Sequence, residues 1–308
     1  MTNTNFSNRV NVLLSTYNGE AYLLEQLQSL YQQTYPNTKI FVRDDGSSDS
    51  TLKLLKNEVY ENKLVLQSPE ANIGPAASFF KLLETSGDSD FYAFCDQDDL
   101  WNKDKIERAV SALTSIPSDI PAMYFSSVEC VDELNNFIKL SPLPKKIGFG
   151  NALVENVATG CTVVLNKKAR NLIVKSLPNH CLMHDSWCYL VVSCYGKILF
   201  DESPSMQYRQ HSNNTIGAAT SAVDNFVRRI KRFSLRKHGH FRFSDQAAKF
   251  LEHYGDSIPS QHQALLSQFV KAKYSFLNRF YLAFSPTIWR QSFLDNLILR
   301  LLILLNRF

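Results

Sequence analysis

The sequence predicts a mostly parallel α/β sheet in the first part of the chain, followed by a helical C-terminal stretch. Three observations predict it. Short β-branched or aromatic runs alternate with helix-period runs through the first half. Polar segments rich in Asp follow several of those short runs. After about residue 223 the pattern turns helical, with no strand run of comparable clarity. Strands alternating with helices of about 10–15 residues indicate parallel pairing through helical crossovers.

Taken in order, Val10–Ser15 (VNVLLS) reads as a buried strand, and Ala21–Gln33 as a helix with Leu23, Leu27 and Leu30 on one face. Lys39–Arg43 is a second strand, ended by Asp44-Asp45-Gly46-Ser47, after which Asp49 can cap a helix through Glu58. Leu64–Gln67 is a third strand, with a helix from about Pro75 to Ser86, Pro being suited to a first turn. Phe91–Cys95 is a fourth, running into Asp96-Gln97-Asp98-Asp99, with a helix beginning near Trp101–Lys105. The stretch 121–208 is mixed. AMYFSSVE and ATGCTVVLN are strand-like, Asn166–Ser176 and Ser186–Tyr195 helical, and KILFDESPSMQYRQH an extended return.

At 308 residues, 44% hydrophobic and 20% charged, the chain can bury a sizeable core, and wholesale disorder is excluded. Six cysteines without a CxxC pair read as reduced structural thiols rather than a zinc site. The N-terminus lacks the basic and apolar regions of a secretory signal, so a cytoplasmic location is expected. The longest apolar candidate, Leu297–Leu305, carries Arg300 and is too short to span a bilayer. The net charge of +4 is unevenly distributed: residues 224–308 hold 14 Lys/Arg and 5 Asp/Glu, against 19 and 24 in residues 1–223. Two differently charged parts suggest two jobs.

Ligands of open parallel sheets bind in the crevice at the carboxyl ends of the strands. Thr16–Glu20, Asp44–Ser47 and Asp96–Asp99 all fall at such ends. Three carboxylates within four positions repel one another unless a cation relieves them, so Asp96–Asp99 is either a site for a hard divalent ion or a solvated acidic turn. Asp44–Ser47 is either a turn or a carboxylate that accepts hydrogen bonds from a base or ribose. No GxxxxGK[ST] loop, GxGxxG fingerprint or GxSxG elbow is present. Without a glycine cradle, a metal ion is the natural means of neutralising a diphosphate.

Ser15-Thr16-Tyr17-Asn18-Gly19-Glu20, Asp44-Asp45-Gly46-Ser47, Asn72-x-Gly74 and Asp96-Gln97-Asp98-Asp99 with Trp101 resemble, in order and spacing, a family 2 glycosyltransferase of the GT-A type. The variant is similar to bacterial rhamnosyltransferase-like members that build surface polysaccharides. The match covers roughly residues 9–215. It implies a Rossmann-like GT-A fold, a dTDP- or UDP-linked sugar donor, Mg²⁺ or Mn²⁺, a glycan or lipid-linked acceptor, and inversion at the anomeric carbon. It also implies roles. Ser15, Thr16, Tyr17 and Asp45 would hold the base with Glu20 nearby, and Asp96 would lie near the ribose or diphosphate. Asp98 would ligate the metal, with Asp99 a competitor for that role. Ala158-Thr159-Gly160-Cys161 would line the acceptor side. Asp185, preceded by His184 where the family more often has Glu, would be the general base, and a carboxylate at a helix N-terminus is held ionised. Arg209 or His211 would meet the diphosphate, His211 also serving as a further metal ligand.

The expected organisation is a catalytic domain over 1–222 and a basic helical tail over 223–308. Val223–Leu235 places apolar residues at helical spacing among arginines, and LILRLLILLNRF adds apolar surface. Such a tail either docks on an anionic membrane, placing the enzyme peripherally on the inner face, or packs on the catalytic domain or a second subunit as a homo-oligomer. No nucleic-acid module accompanies the basic cluster, so nucleic acid is not an expected partner. The rival readings are a nucleotidyltransferase and an inactive nucleotide-sugar-binding scaffold.

Overall fold

The computed structural model describes residues 7–67, 71–211 and 241–308. The runs read as strands form the centre of a seven-stranded sheet ordered β10-β6-β9-β4-β1-β2-β3. β1 (Val10–Thr16) lies between β2 (Thr38–Asp44) and β4 (Phe91–Cys95), parallel to both, and β3 (Val65–Leu66) extends the β2 side. Nearly every residue of β1 and all of β4 are buried, as strands covered on both faces must be. β9 (Val164–Asn166) runs antiparallel between β4 and β6 (Ala122–Ser126), and β10 (Lys197–Asp201) pairs parallel with β6.

Helices cross between the strands. α1 (Leu23–Tyr31) buries the predicted Leu23, Leu27 and Leu30. α2 (Thr51–Tyr60) starts where Asp49 accepts the Thr51 N–H at 2.9 Å. α3 (Pro75–Thr85) follows Gly74, whose φ of 82° permits the turn into Pro75. α4 (Lys105–Thr114) starts at the far end of the expected Trp101–Lys105 window, because Leu100–Trp101 forms the short strand β5 of a second sheet. That sheet, ordered β5-β11-β7-β8, also contains β7 (Glu129–Val131), β8 (Phe137–Leu140) and β11 (Met206–Arg209). The extended return after residue 196 is thus two strands in two sheets. After the short α5 (Phe149–Ala152) come α6 (Lys167–Val174) and the almost wholly buried α7 (His184–Tyr195).

The C-terminal part is helical: α8 (Phe243–Tyr254), α9 (Ser260–Ala272), α10 (Phe276–Phe284) and α11 (Phe293–Leu304). These helices share one hydrophobic cluster with Phe149, Trp187 and Leu190 of the sheet-bearing part. Burying Phe250, Leu266, Phe269, Leu282, Leu299 and Ile303 contributes on the order of 10 kcal/mol before conformational entropy is subtracted. The basic segment Val223–Leu235 lies outside the described residues. No helix among the described residues is long and apolar enough to cross a membrane.

Candidate active site

The carboxyl ends of β1, β2 and β4 meet at one edge of the sheet, since Thr16 is in register with Asp44 and Leu14 with Cys95. Thr16 donates to Asp44 at 2.9 Å, and Asp44 also accepts from the Ser47 N–H and hydroxyl. Asp45 turns inward, paired with Arg43 and accepting the Ile73 and Gly74 N–H groups at 2.9 Å each. This ties the end of β2 to the entrance of α3. Ser15 points to Ser78 of α3 at 2.7 Å, and Glu20 accepts the Ser50 N–H, away from the strand-end carboxylates. Tyr17 is half-exposed, and the Gln97 amide both accepts from its N–H and donates to its C=O. Gln97 packs so closely that a Cβ on Gly19 would lie 2.2 Å from its Oε1.

Beyond Gln97 the carboxylates divide. Asp98 meets His211 Nε2 at 2.8 Å, and the His211 ring leans on Tyr22 with centroids 5.0 Å apart. Asp99 is fully buried. One oxygen accepts the Arg209 N–H at 3.2 Å, and the other has no hydrogen-bond partner among the described residues. Ligand atoms of Asp96, Asp99 and Cys161 lie within 4.8 Å of one another. Burial, then the charges of Asp98 and Asp185, push Asp96 up to about 7, and burial with Asp98 and Asp96 pushes Asp99 well above the usual range. A cluster whose carboxyls hold protons this strongly is one that a divalent cation relieves. Its oxygen donors suit Mg²⁺ or Mn²⁺. The Cys161 thiol, pushed well up by burial, remains protonated and is no competing thiolate ligand.

Arg209 is buried. It ion-pairs with Glu25 at 2.6 Å, donates to the Asp98 and Glu133 carbonyls, and stacks its guanidinium 4.5 Å from the Tyr22 ring. These bonds hold the acidic turn in place. Lys105 lies behind the turn over the Trp101 ring at 4.5 Å, and burial brings its ammonium down to about 8.

Asp185 stands at the start of α7, close enough to Asp96 for its charge to act there. It lies in the first turn and accepts the N–H of the next residue, Ser186, at 2.6 Å. The helix N-terminus is not the largest influence on its ionisation, which is held off to a higher pH by burial. Burial outweighs the hydrogen bonds from Ser186, Asn156 and Gly160 and brings Asp185 up to about 6. A carboxylate with that value accepts a proton readily at neutral pH. His184 is held neutral by burial, down to about 3, in a slot between Phe79 and Phe94. Neither ring nitrogen has a hydrogen-bond partner among the described residues. A Cβ on Gly160 would lie 3.0 Å from His184 Nε2 and 3.3 Å from Asp185 Oδ2, so both groups border the space over this glycine.

Sequence reasoning missed Tyr22, Gln97, Lys105 and Asn156. Lys105 alone carried a signal, as a lysine on the same helical face as the buried Ala109, Val110 and Leu113. Two surface concavities, one by Arg9 and Lys39 and one by Asp90 and Asn166, sit at the opposite edge of the sheet and contain no such carboxylate cluster.

Residues 11–168, about half of the chain, match the family described as "Glycosyl transferase family 2". The dTDP-rhamnosyl transferase RfbG of Shigella flexneri is 28% identical over 249 residues, covering 74% of this chain and 81% of that protein. The UDP-Glc:alpha-D-GlcNAc-diphosphoundecaprenol beta-1,3-glucosyltransferase WfgD of Escherichia coli is 32% identical over 164 residues, covering 53% and 62%. Among solved structures, residues 1–349 of S. aureus TarS in complex with UDP align with a TM-score of 0.57 at 19% identity, over 91% of this chain and 73% of that one. The mannosyltransferase PcManGT from Pyrobaculum calidifontis, in complex with GDP-Man and Mn²⁺, aligns with a TM-score of 0.56 at 17% identity, over 91% and 72%. At these identities the structural likeness speaks for the fold alone, which is the expected GT-A α/β architecture.

Proposed function

The chain belongs to glycosyl transferase family 2, and from that premise we propose that it is an inverting, divalent-metal-dependent enzyme of surface-polysaccharide synthesis that moves a sugar, first choice rhamnose, from a nucleotide-sugar donor to a lipid-linked glycan. The observation that carries the reading is the meeting of a diphosphate-suited acidic cluster with a proton-accepting carboxylate, Asp185 lying within charge range of Asp96. Rhamnose and a lipid-linked acceptor draw support from the relatives, one a dTDP-rhamnosyl transferase and another acting on a diphosphoundecaprenol-linked sugar.

In this reading the segment Ser15–Tyr17 and the ends of β1 and β2 receive the nucleoside. Asp45 and Arg209, both engaged within the protein, position that surface rather than bind the donor themselves. Asp98 and His211 would hold the ion at the mouth of the cluster with Asp99 beside them, and Asp96, within reach of the same ion, would face the ribose or diphosphate. A divalent ion bound there supplies the positive charge that stabilises the departing nucleoside diphosphate. Asp185 takes the acceptor hydroxyl proton as that oxygen bonds to the anomeric carbon and the bond to the diphosphate breaks on the opposite face. His184, held neutral by burial, shapes the acceptor side next to Gly160. The catalytic part ends near residue 222, and the described C-terminal helices begin at Phe243. The family assignment leaves the nucleotidyltransferase reading without support.

A thermal-shift screen of dTDP-rhamnose, UDP-glucose and UDP-GlcNAc, each with and without Mn²⁺, tests the donor. A ligand present at 100 times its Kd stabilises by about 2.7 kcal/mol. One donor is expected to stabilise the protein only when Mn²⁺ is present. Stabilisation that is equal with and without the ion would remove the metal from the account.

A further inference from the structure

The C-terminal helix pair leaves an unusual amount of apolar surface uncovered. On α10 the exposed residues Phe276, Leu277, Phe280, Tyr281 and Phe284 fall at i, i+1, i+4, i+5 and i+8, one face of the helix. On α11 Phe293, Leu294, Leu297, Leu301 and Leu305 form a second stripe at four-residue spacing, ending just past the helix. The opposite faces are the ones that pack, through Leu282 and Ala283 of α10 and Leu299 and Ile303 of α11. The two helices pack on each other, with Arg300 of α11 donating to the Leu282 carbonyl at 3.2 Å. Phe293 is 87% exposed and Phe284 70%, values that a folded protein in water rarely leaves on adjacent elements.

Charge distinguishes the occupants of this surface. Residues 271–308 contain six basic residues (Lys271, Lys273, Arg279, Arg290, Arg300 and Arg307) and a single acid, Asp295. A second copy meeting this face about a two-fold axis would set like charges against each other. An anionic lipid surface instead takes aromatic and leucine side chains between its headgroups and attracts the flanking cations.

The attachment of the pair also matters. The connection between α10 and α11 is bonded to the segment that carries Asn156: Trp289 C=O accepts from Asn151 at 3.0 Å, Arg290 donates to the Val154 carbonyl at 2.8 Å, and the Gln291 N–H donates to Glu155 at 2.9 Å. Asn156 in turn lies close enough to Asp185 to favour its charged form.

We propose that the exposed faces of α10 and α11 are a membrane-docking surface that seats the enzyme on an anionic leaflet, with its acceptor side tethered close to the lipid. The benefit for catalysis rests on the lipid-linked acceptor proposed above; the docking itself does not. Both stripes insert shallowly, and neither helix spans the bilayer.

Co-sedimentation of the full chain with vesicles of phosphatidylcholine alone, or of phosphatidylcholine mixed with anionic phosphatidylglycerol, tests the proposal without sugar nucleotide. The protein is expected to pellet with the anionic vesicles, weaker at high salt but still detectable. A quadruple variant, Phe280→Ser, Phe284→Ser, Phe293→Ser and Leu297→Ser, is expected to lose at least about 100-fold in partitioning, because each inserted side chain is worth roughly tenfold when half-buried in lipid. Since these side chains are exposed, the variant should keep the melting temperature of the parent. As a second measurement that does not depend on that variant, Phe293→Trp should add indole emission, over that of the parent, that brominated lipid in anionic vesicles quenches. The proposal is overturned if the parent stays in the supernatant, if the emission added by Phe293→Trp is not quenched, or if light scattering shows a dimer that the quadruple substitution dissolves. None of these results bears on donor binding, so the proposed function would stand or fall separately.

Discussion

Asp185→Asn should make the protein more stable while nearly abolishing turnover. The carboxylate keeps its proton up to about pH 6 in the fold, against 3.8 ordinarily, with burial the leading cause. At about 1.4 kcal/mol per pH unit, ionising it at neutral pH costs the fold about 3 kcal/mol. The direction follows from the raised value. The native state binds this proton more tightly than the unfolded chain, so the cost is absent below about pH 4, grows between about 4 and 6, and is complete above 6. Asn keeps an acceptor for the Ser186 N–H and never ionises. For a chain of this size about 3 kcal/mol corresponds to roughly 4–5 °C in Tm, an upper figure since Asn keeps part of the desolvation cost. Differential scanning fluorimetry at pH 7.5 and pH 4 reads it directly, the stabilisation being expected at the higher pH and largely gone at the lower. Removing the base should reduce kcat by about 10²–10⁴-fold with donor affinity little changed. In the parent, kcat/KM should fall as pH drops below about 6. A variant that melts lower at pH 7.5, or turns over within a few-fold of the parent, would refute the reasoning.

Asp98→Ala should abolish Mn²⁺-dependent nucleoside-diphosphate binding in calorimetry without unfolding the chain, and His211→Ala should weaken it by about tenfold, the scale for loss of one supporting ligand. Arg43→Met should cost about 3–5 kcal/mol in denaturant unfolding, because it leaves the buried Asp45 charge with only backbone N–H partners. Gly150→Ala would place a Cβ 1.8 Å from the Thr287 carbonyl oxygen, so loss of about 3 kcal/mol is expected. Proteolysis of that variant should cut first between α10 and α11.

The strand-end carboxylates were legible because apolar runs such as FYAFC stop abruptly at Asp, and a parallel sheet gathers those stops at one edge. The second sheet was not. β5 has two residues, β8 is a mostly exposed FIKL, and β11 pairs with partners far away in the chain. The helix expected to begin near Trp101–Lys105 begins at the later end of that window for the same reason. Within the site, the types of residue were legible and their orientations were not. Nothing in Asp44-Asp45 says that the second carboxylate turns in to Arg43, Ile73 and Gly74. Nor does His184-Asp185 show that Phe79 and Phe94, about 100 residues earlier, enclose the imidazole. The upward shift of Asp185 was hidden for the same reason, since a helix N-terminus is visible in sequence and burial is not. In the tail, the helical period was evident. Which apolar face packs on Trp187 and which stays open is a matter of tertiary contact alone.

The central claim is that this edge of the sheet transfers a sugar with inversion, using Asp185 as base and a divalent ion at the acidic turn. Proton NMR of the parent enzyme with Mn²⁺, a nucleotide-sugar donor and a lipid-linked glycan acceptor observes the anomeric signals of donor and product together. The account predicts release of nucleoside diphosphate, a product of opposite anomeric configuration, and no reaction with Asp185→Asn or after chelation of the metal. A product that retains the donor's configuration, or a donor panel left unconsumed with Mn²⁺ and acceptor present, would contradict it.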